Sequence, residues 1–207
     1  PFARCFLAAV TLWTGLSSGW SRASEWSLIG VFDDISFYRK EEVGSGVYAY
    51  RGEGIIHASM AKVFSAIYET PRRSEWVDRV GEARILMEYA PFDRIEYMIN
   101  PAPWPINDRE FLYRSRVEIN REKKHVVFQL ESVDQAEFPK HPDRVRGWIH
   151  YNRFDLSPLP GGKTHLIAEL HADPKGLIPN FLVNSVQKNW PRRSLDGLMQ
   201  QVLKPDV

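Results

Sequence analysis

Apolar residues along this chain recur at two spacings, and the changes between them divide it into elements. Glu25 to Phe32 reads as the start of a short amphipathic helix. Ile35–Arg39 and Val47–Ile56 read as strands joined by Gly44-Ser45-Gly46. Met60, Val63, Phe64 and Ile67 then recur at helical spacing behind Ser59, a good N-cap residue. Pro71 breaks that run, and Arg72–Val80 leaves room for another turn or two. From Ala83 the period becomes two. Ala83–Tyr89 and Arg94–Asn100 read as strands around Pro91-Phe92-Asp93. Phe111, Tyr113, Ser115, Val117 and Ile119 alternate with charged residues, as on a half-buried strand. Asn120–Lys124 is a polar hairpin tip, Val126, Phe128 and Leu130 begin the return strand, and Arg144–Leu156 is another. Pro160-Gly161-Gly162 turns into Leu166–Leu170. Last, Ile178, Leu182, Val186 and Trp190 recur every four residues as a helical stripe. Pro191 kinks that helix or starts a new turn, and Leu195, Leu198, Met199 and Val202 continue the apolar face. With no internal repeat, the economical expectation is one α+β domain over residues 24–204.

The first 23 residues form a separate object. Arg4 precedes an uncharged, mostly apolar run from Cys5 to Leu16, and Ser21-Arg22-Ala23 offers small residues for cleavage. That is the layout of a signal peptide, with an uncleaved N-terminal anchor or a buried helix as alternatives. It predicts an exported protein, periplasmic or secreted. Cleavage after Ala23 removes Arg4 and Arg22, two positive charges from a net of +1, which leaves −1. It also removes Cys5, the single cysteine.

Composition narrows the function. Lys+Arg total 27 against 26 Asp+Glu, so there is no basic field for nucleic acid. One cysteine excludes an internal disulfide and a Cys-ligated zinc site. The 7 Trp and 13% aromatic content hint at a lined cavity. Catalytic motifs are missing: there is no HExxH, P-loop or G-x-G-x-x-G. Gly15-Leu-Ser-Ser-Gly19 matches the nucleophile-elbow letters but ends the signal-like segment instead of joining a strand to a helix. His165 and His171 would lie about 20 Å apart on one strand, too far to share a metal, and read as surface or strand-end histidines. A binding protein without metal or cofactor is the expectation, and not an enzyme.

Several motifs in order resemble those of the START (StAR-related lipid-transfer) domains. Asp173-Pro-Lys-Gly-Leu-Ile-Pro179 followed by Asn180-Phe-Leu-Val-Asn184 resembles the start of that family's C-terminal helix. Trp104-Pro-Ile-Asn-Asp-Arg109-Glu110-Phe111 resembles its entry to a central strand, with Glu110 where Asp is usual. Val145-Arg146 resembles a motif of the following strand, and Trp76 falls where the family has a Trp. The stretch Asn184…Lys188-Asn-Trp-Pro191 is most similar to the phosphatidylcholine-transfer branch. The chain thus resembles an exported START member of bacterial type. The resemblance implies a helix-grip fold, a curved antiparallel sheet around the C-terminal helix, enclosing a hydrophobic tunnel for one lipid.

Site residues follow from that resemblance. Arg73 matches the arginine that contacts phosphate in the phosphatidylcholine branch, a role that suits a bidentate, permanently charged group; otherwise it is a surface charge beside Arg72. The acidic neighbour of that arginine aligns with Val77, and Asp78 comes one position late. The aromatic choline cage falls on Met98, Phe111 and His150, of which Phe111 alone keeps an aromatic hydrocarbon face. Glu96 sits at the spacing of the acid in the sterol branch, whose arginine falls on Ser115. Period two places Ile95, Tyr97 and Ile99 on the more apolar face, which would turn Glu96 to water. Tyr113 shares a face with Phe111 and Ser115. Trp148 and Trp104 line the cavity or pack in the core and loops. Phe181, Leu182 and Val186 should face the sheet and roof the tunnel. The implied partners are a phospholipid or sterol-like lipid and, transiently, a membrane, with the protein a monomer. Two rivals remain: an aromatase/cyclase-like enzyme acting on a bound hydrophobic substrate, and a lipid sensor that binds a protein.

Overall fold

The computed structural model describes residues 25–33 and 35–207. The signal-like segment 1–23 and its serine motif lie outside the described residues.

Ten strands form one sheet. In chain order they are β1 (Ser27–Phe32), β2 (Ile35–Lys40), β3 (Ala49–Ile56), β4 (Glu82–Ala90), β5 (Asp93–Asn100), β6 (Arg109–Asn120), β7 (His125–Ser132), β8 (Val145–Arg146), β9 (Trp148–Leu159) and β10 (Lys163–Asp173). Their spatial order is β1-β2-β3-β10-β9-β7-β6-β5-β4, antiparallel throughout, with the short β8 pairing parallel to the start of β6. Among the described residues, three α-helices accompany the sheet: α1 (Met60–Tyr68), α2 (Asn180–Gln187) and α3 (Trp190–Gln201). A 3₁₀ helix, Thr70–Glu75, follows α1.

The period-two segments are strands and the period-3.6 segments are helices, as their patterns predict. Ser59 caps α1, its Oγ accepting the Lys62 N–H at 3.4 Å. The C-terminal helix is two helices: α2 ends at Gln187, and Pro191 sits in the first turn of α3, where its missing N–H costs nothing. One expectation fails. Residues 27–32 form a strand, not a helix. β1 is an exposed edge strand whose register with β2 runs from Ser27↔Arg39 to Phe32↔Ile35. Backbone pairing decides its conformation, because none of its side chains is buried to impose a pattern.

The main core lies between the concave face of the sheet and α1 and α3. Phe128, Phe154, Leu156 and Leu166 on the strands meet Val63, Ile67, Leu195 and Leu198 on the helices. Burial of each such side chain stabilises the fold by about 1.5–3 kcal/mol. Glycines let α3 lie close to its neighbours. A Cβ on Gly52 would come within 2.6 Å of the Leu195 side chain, and one on Gly197 within 2.1 Å of the Trp76 carbonyl oxygen.

The outer face of β5 and β6 is buried as well. Glu110 accepts hydrogen bonds there from the Tyr97 hydroxyl at 2.6 Å, Arg146 Nε at 2.8 Å and the His141 N–H at 3.1 Å. Arg144 donates to the Tyr97 hydroxyl at 2.9 Å. These contacts bind the segment between β7 and β8 across Ile95 and Leu112, both fully buried. Burial raises the pKa of a carboxyl, but Tyr97, Arg146 and the His141 amide outweigh it and hold Glu110 below the ordinary value. Glu110 and Arg146, which belong to two of the motifs singled out in the sequence, thus form one ion pair.

Candidate functional site

Between the concave sheet and α2 lies a cavity of about 330 Å³. Its lining is mostly apolar. Trp76 and Val77 line it beyond the 3₁₀ helix, Met98, Phe111, Ile149, Phe154, Leu170 and Ala172 form its sheet wall, and Ile178, Leu182, Val186 and Trp190 roof it. The helical stripe seen in the sequence is therefore the roof. Pro103, Ile106, Leu182 and Val186 both line the cavity and remain exposed, which marks where it meets solvent.

Polar contacts fasten the roof beside the buried side chains of Val183 and Trp190. Asn184 Oδ1 accepts the Tyr48 N–H at 2.9 Å, and its amide donates to the Gly46 carbonyl at 3.0 Å. The Tyr50 hydroxyl donates to the Asn184 carbonyl at 2.9 Å, and Gln187 donates to the Ala172 carbonyl at 2.8 Å. The hinge before α2 is held by Arg109. Its guanidinium donates to the carbonyls of Lys175 at 3.2 Å, Pro174 at 3.4 Å and Asn107. Gly176 has φ +78°, and a Cβ there would stand 3.2 Å from Arg109 Nη2, so two constraints favour glycine at this turn.

Beside Tyr113 the lining turns polar. Glu96 is fully buried and lies between two buried arginines. Arg73 Nη1 donates to Glu96 Oε2 and to the Tyr113 hydroxyl, the latter at 2.5 Å, and Nη2 donates to the Ile67 carbonyl at 3.2 Å. Arg94 Nε donates to Glu96 Oε1 at 2.7 Å, and its Nη2 donates to Thr70 Oγ1 at 2.7 Å and to the Tyr68 carbonyl. Burial alone would raise the carboxyl's pKa; the two guanidiniums prevail and hold Glu96 below its ordinary value. Burial likewise raises the Tyr113 phenol, which stays protonated. Arg73 and Tyr113 line the cavity, and Glu96 and Arg94 stand behind them. Three further buried polar atoms of lining residues have no hydrogen-bond partner: Trp76 Nε1, Asn100 Oδ1 and Asn152 Oδ1.

Of the residues singled out in the sequence, Arg73, Met98, Phe111, Tyr113, Leu182 and Val186 line the cavity. Met98 and Phe111 are direct cross-strand partners. Others stand elsewhere. Glu96 is turned inward, not to water, because the face it shares with Arg94 and Met98 is the concave one. Its partners are Arg73 and Arg94 rather than a group at Ser115, which is buried opposite Arg94 and outside the lining. His150 lies outside the cavity. A bulge in the β9–β10 pairing brings it against His171, with ring centroids 4.3 Å apart. His171 is buried, not a surface histidine, and burial lowers its pKa. Trp148 is also absent from the lining, and Trp104, 93% exposed, neither lines the cavity nor packs in the core. Phe181 points away from the sheet and is 70% exposed. Asp78 pairs with Arg193 at 3.4 Å rather than with Arg73. Nothing in the sequence pattern marks Arg94 or Asn152 as site residues, and Arg109 stands out only as part of its motif. Their roles come from neighbours distant in the chain.

A curved antiparallel sheet that encloses an apolar cavity beneath a broken C-terminal helix defines a ligand-enclosing protein of the helix-grip class. The chain belongs to the START domain family, whose model matches residues 15–191. It is similar to an uncharacterised protein of Pseudomonas aeruginosa, 24% identical over 87% of this chain and 88% of that protein. It is also similar to the phosphatidylcholine transfer protein of Bos taurus, 22% identical over 79% of this chain and 78% of that one. The solved structure of human StAR-related lipid transfer protein 5 superposes with a TM-score of 0.79 at 23% identity, covering 86% of each chain.

Proposed function

We propose that this protein takes up one lipid or similarly hydrophobic molecule in the cavity and carries it without covalent change. The observation that carries this reading is the mostly apolar cavity roofed by a largely exposed helix that polar side chains help to fasten. The relatives named for lipid transfer support it. An acyl chain loses about 0.8 kcal/mol per CH₂ on entering water, so a carrier must shield it; leaving a bilayer for an apolar tunnel costs the chain little. Phospholipids and sterol-like molecules are the candidate cargo.

Membrane contact fits the same reading. Trp104 adjoins Pro103 at the cavity edge, and Leu177 and Phe181 flank Ile178 and Leu182; all three are largely exposed. Exposed apolar residues beside an opening mark a surface that meets an apolar partner. A monomer that docks transiently and exchanges its cargo uses such a rim. The signal-like segment supports export to the periplasm or beyond.

The test is mass spectrometry of lipid extracted from the purified protein, followed by transfer between vesicles. We expect a stoichiometric lipid, returned unchanged after transfer. Recovery of no lipid, or of a hydrolysed or cyclised product, overturns the reading.

A further inference from the structure

The charges around the cavity do not balance. Arg73, Arg94 and Arg109 are each more than nine-tenths buried on the cavity side of the sheet. Among the described residues, one buried carboxylate on that side, Glu96, stands against them. The other buried carboxylate among the described residues, Glu110, lies on the outer face and is paired with Arg146 at 2.8 Å. Asp78, which also lines the cavity, is half-buried and shared between Arg79 at 3.6 Å and Arg193 at 3.4 Å. Asp108, next to Arg109, caps the Ala102 N–H at 2.9 Å, and Asp173 pairs with Lys175. Neither meets the Arg73–Glu96–Arg94 group, where two guanidiniums share one carboxylate. An uncompensated charge beside an apolar cavity is costly, and costlier once a hydrocarbon chain displaces water from it.

Within the Arg73–Glu96–Arg94 group a cation finds no free carboxylate. Both oxygens of Glu96 are taken by arginines. Of the three positions that would cage a quaternary ammonium, Met98 and Phe111 line the cavity, but His150 is on the other side of the sheet against His171. Trp76 Nε1 in the same lining is a donor without a partner and asks for an acceptor, while Asn100 Oδ1 and Asn152 Oδ1 are acceptors without a partner that a hydroxyl or amide of the ligand would satisfy. We infer that the cavity selects a ligand whose buried polar end is a carboxylate or phosphate that carries negative charge with no cation attached. Such a group approaches Arg73 and Tyr113 and supplies the charge that Glu96 alone does not. This inference rests on the carriage of a hydrophobic ligand proposed above, and it names that ligand's charge class.

The experiment offers the delipidated full chain vesicles of equal parts phosphatidylcholine and phosphatidylglycerol, with and without added oleate. Bound species are read by native mass spectrometry. Competition within one vesicle removes the effect of surface charge on docking, since every lipid sits on the same surface. We expect phosphatidylglycerol, oleate or both to be retained over phosphatidylcholine by at least about tenfold. Which of the two predominates tells phosphate from carboxylate. Retention of phosphatidylcholine at an equal or higher level overturns the charge selection and leaves lipid carriage standing. Retention of no lipid overturns both. A second arm uses Arg94→Met, since Arg94 does not line the cavity and acts on the ligand only through the shared carboxylate. With Arg73 and Glu96 then matched one to one, the preference should fall at least about fivefold; a folded variant with the wild-type preference overturns the charge argument. If that variant fails to fold, the wild-type competition alone decides.

Discussion

Glu96 shows how one residue can be misread and still be central. Alternation along β5 separates Arg94, Glu96 and Met98 from Ile95, Tyr97 and Ile99, and hydrophobicity alone would send the second set inward. Both sets are buried apart from the half-buried Met98, because the segment between β7 and β8 covers the outer face. Period two thus identified the strand but could not say which side held the cavity. Nor could it supply partners: Arg73 comes from the 3₁₀ helix, 23 residues away. Removing the shared carboxylate should be severe. We expect Glu96→Gln to lose about 3–5 kcal/mol in urea unfolding, since two buried guanidiniums lose their counter-ion. The pH dependence has a definite sign. The folded carboxyl sits below its ordinary value, so the unfolded chain binds its proton first as pH falls. The stabilisation is therefore complete well above about pH 4.3 and fades below it, toward the folded pKa. Glu96→Gln should lack that component, giving a shallower acid limb in urea midpoint against pH.

At the scale of elements, the C-terminal helix was legible as a stripe, and its break at Pro191 was legible as chemistry. Its relation to the sheet was not. Phe181 is adjacent in sequence to Leu182 yet more exposed, because α2 buries Val183 and leaves its other flank to solvent. Strand β1 was illegible for the opposite reason: an edge strand with every side chain exposed has no pattern to read. The bulge between His171 and Ala172 likewise moved His150 off the cavity side, and no spacing rule marks a bulge. The half-exposed roof makes a prediction that differs from that for a core residue. Leu182 is 45% exposed while lining the cavity. Leu182→Asp should thus cost the empty fold little, about 1 kcal/mol or less, as surface changes do. Against a bound acyl chain the same carboxylate is desolvated, and lipid retention should drop at least tenfold. A thermal melt of the delipidated protein separates the two effects; a collapse of the empty fold would place Leu182 in the core and refute the roof assignment.

For the whole molecule, the question is how a ligand passes a closed surface. The sheet is one continuous hydrogen-bonded body from β1 to β4 and offers no low-cost opening. The α2 segment is different: it has eight residues, a glycine hinge before it, a break after it, and a few side-chain hydrogen bonds to the β2–β3 loop, β3 and β10 as its polar fastening. Segments of this kind open locally at a small fraction of the global unfolding free energy. A covalent lock can test whether that opening is the route. A Cβ built on Gly46 lies 3.5 Å from the Asn180 Cβ, within the range for a disulfide, and Gly46 itself is free of positive φ. Gly46→Cys with Asn180→Cys, in a Cys5→Ser background, should therefore close a bond between the β2–β3 loop and the first turn of α2. The oxidised protein should keep its fold and any lipid loaded beforehand, while exchange between vesicles falls at least tenfold. Reductant should restore exchange to the rate of the Cys5→Ser parent. Exchange that continues at the parental rate under oxidising conditions, with the disulfide verified by mass, would rule out α2 as the gate. The passage would then run through the exposed loop around Pro103, another segment at the cavity edge that lies outside the strands.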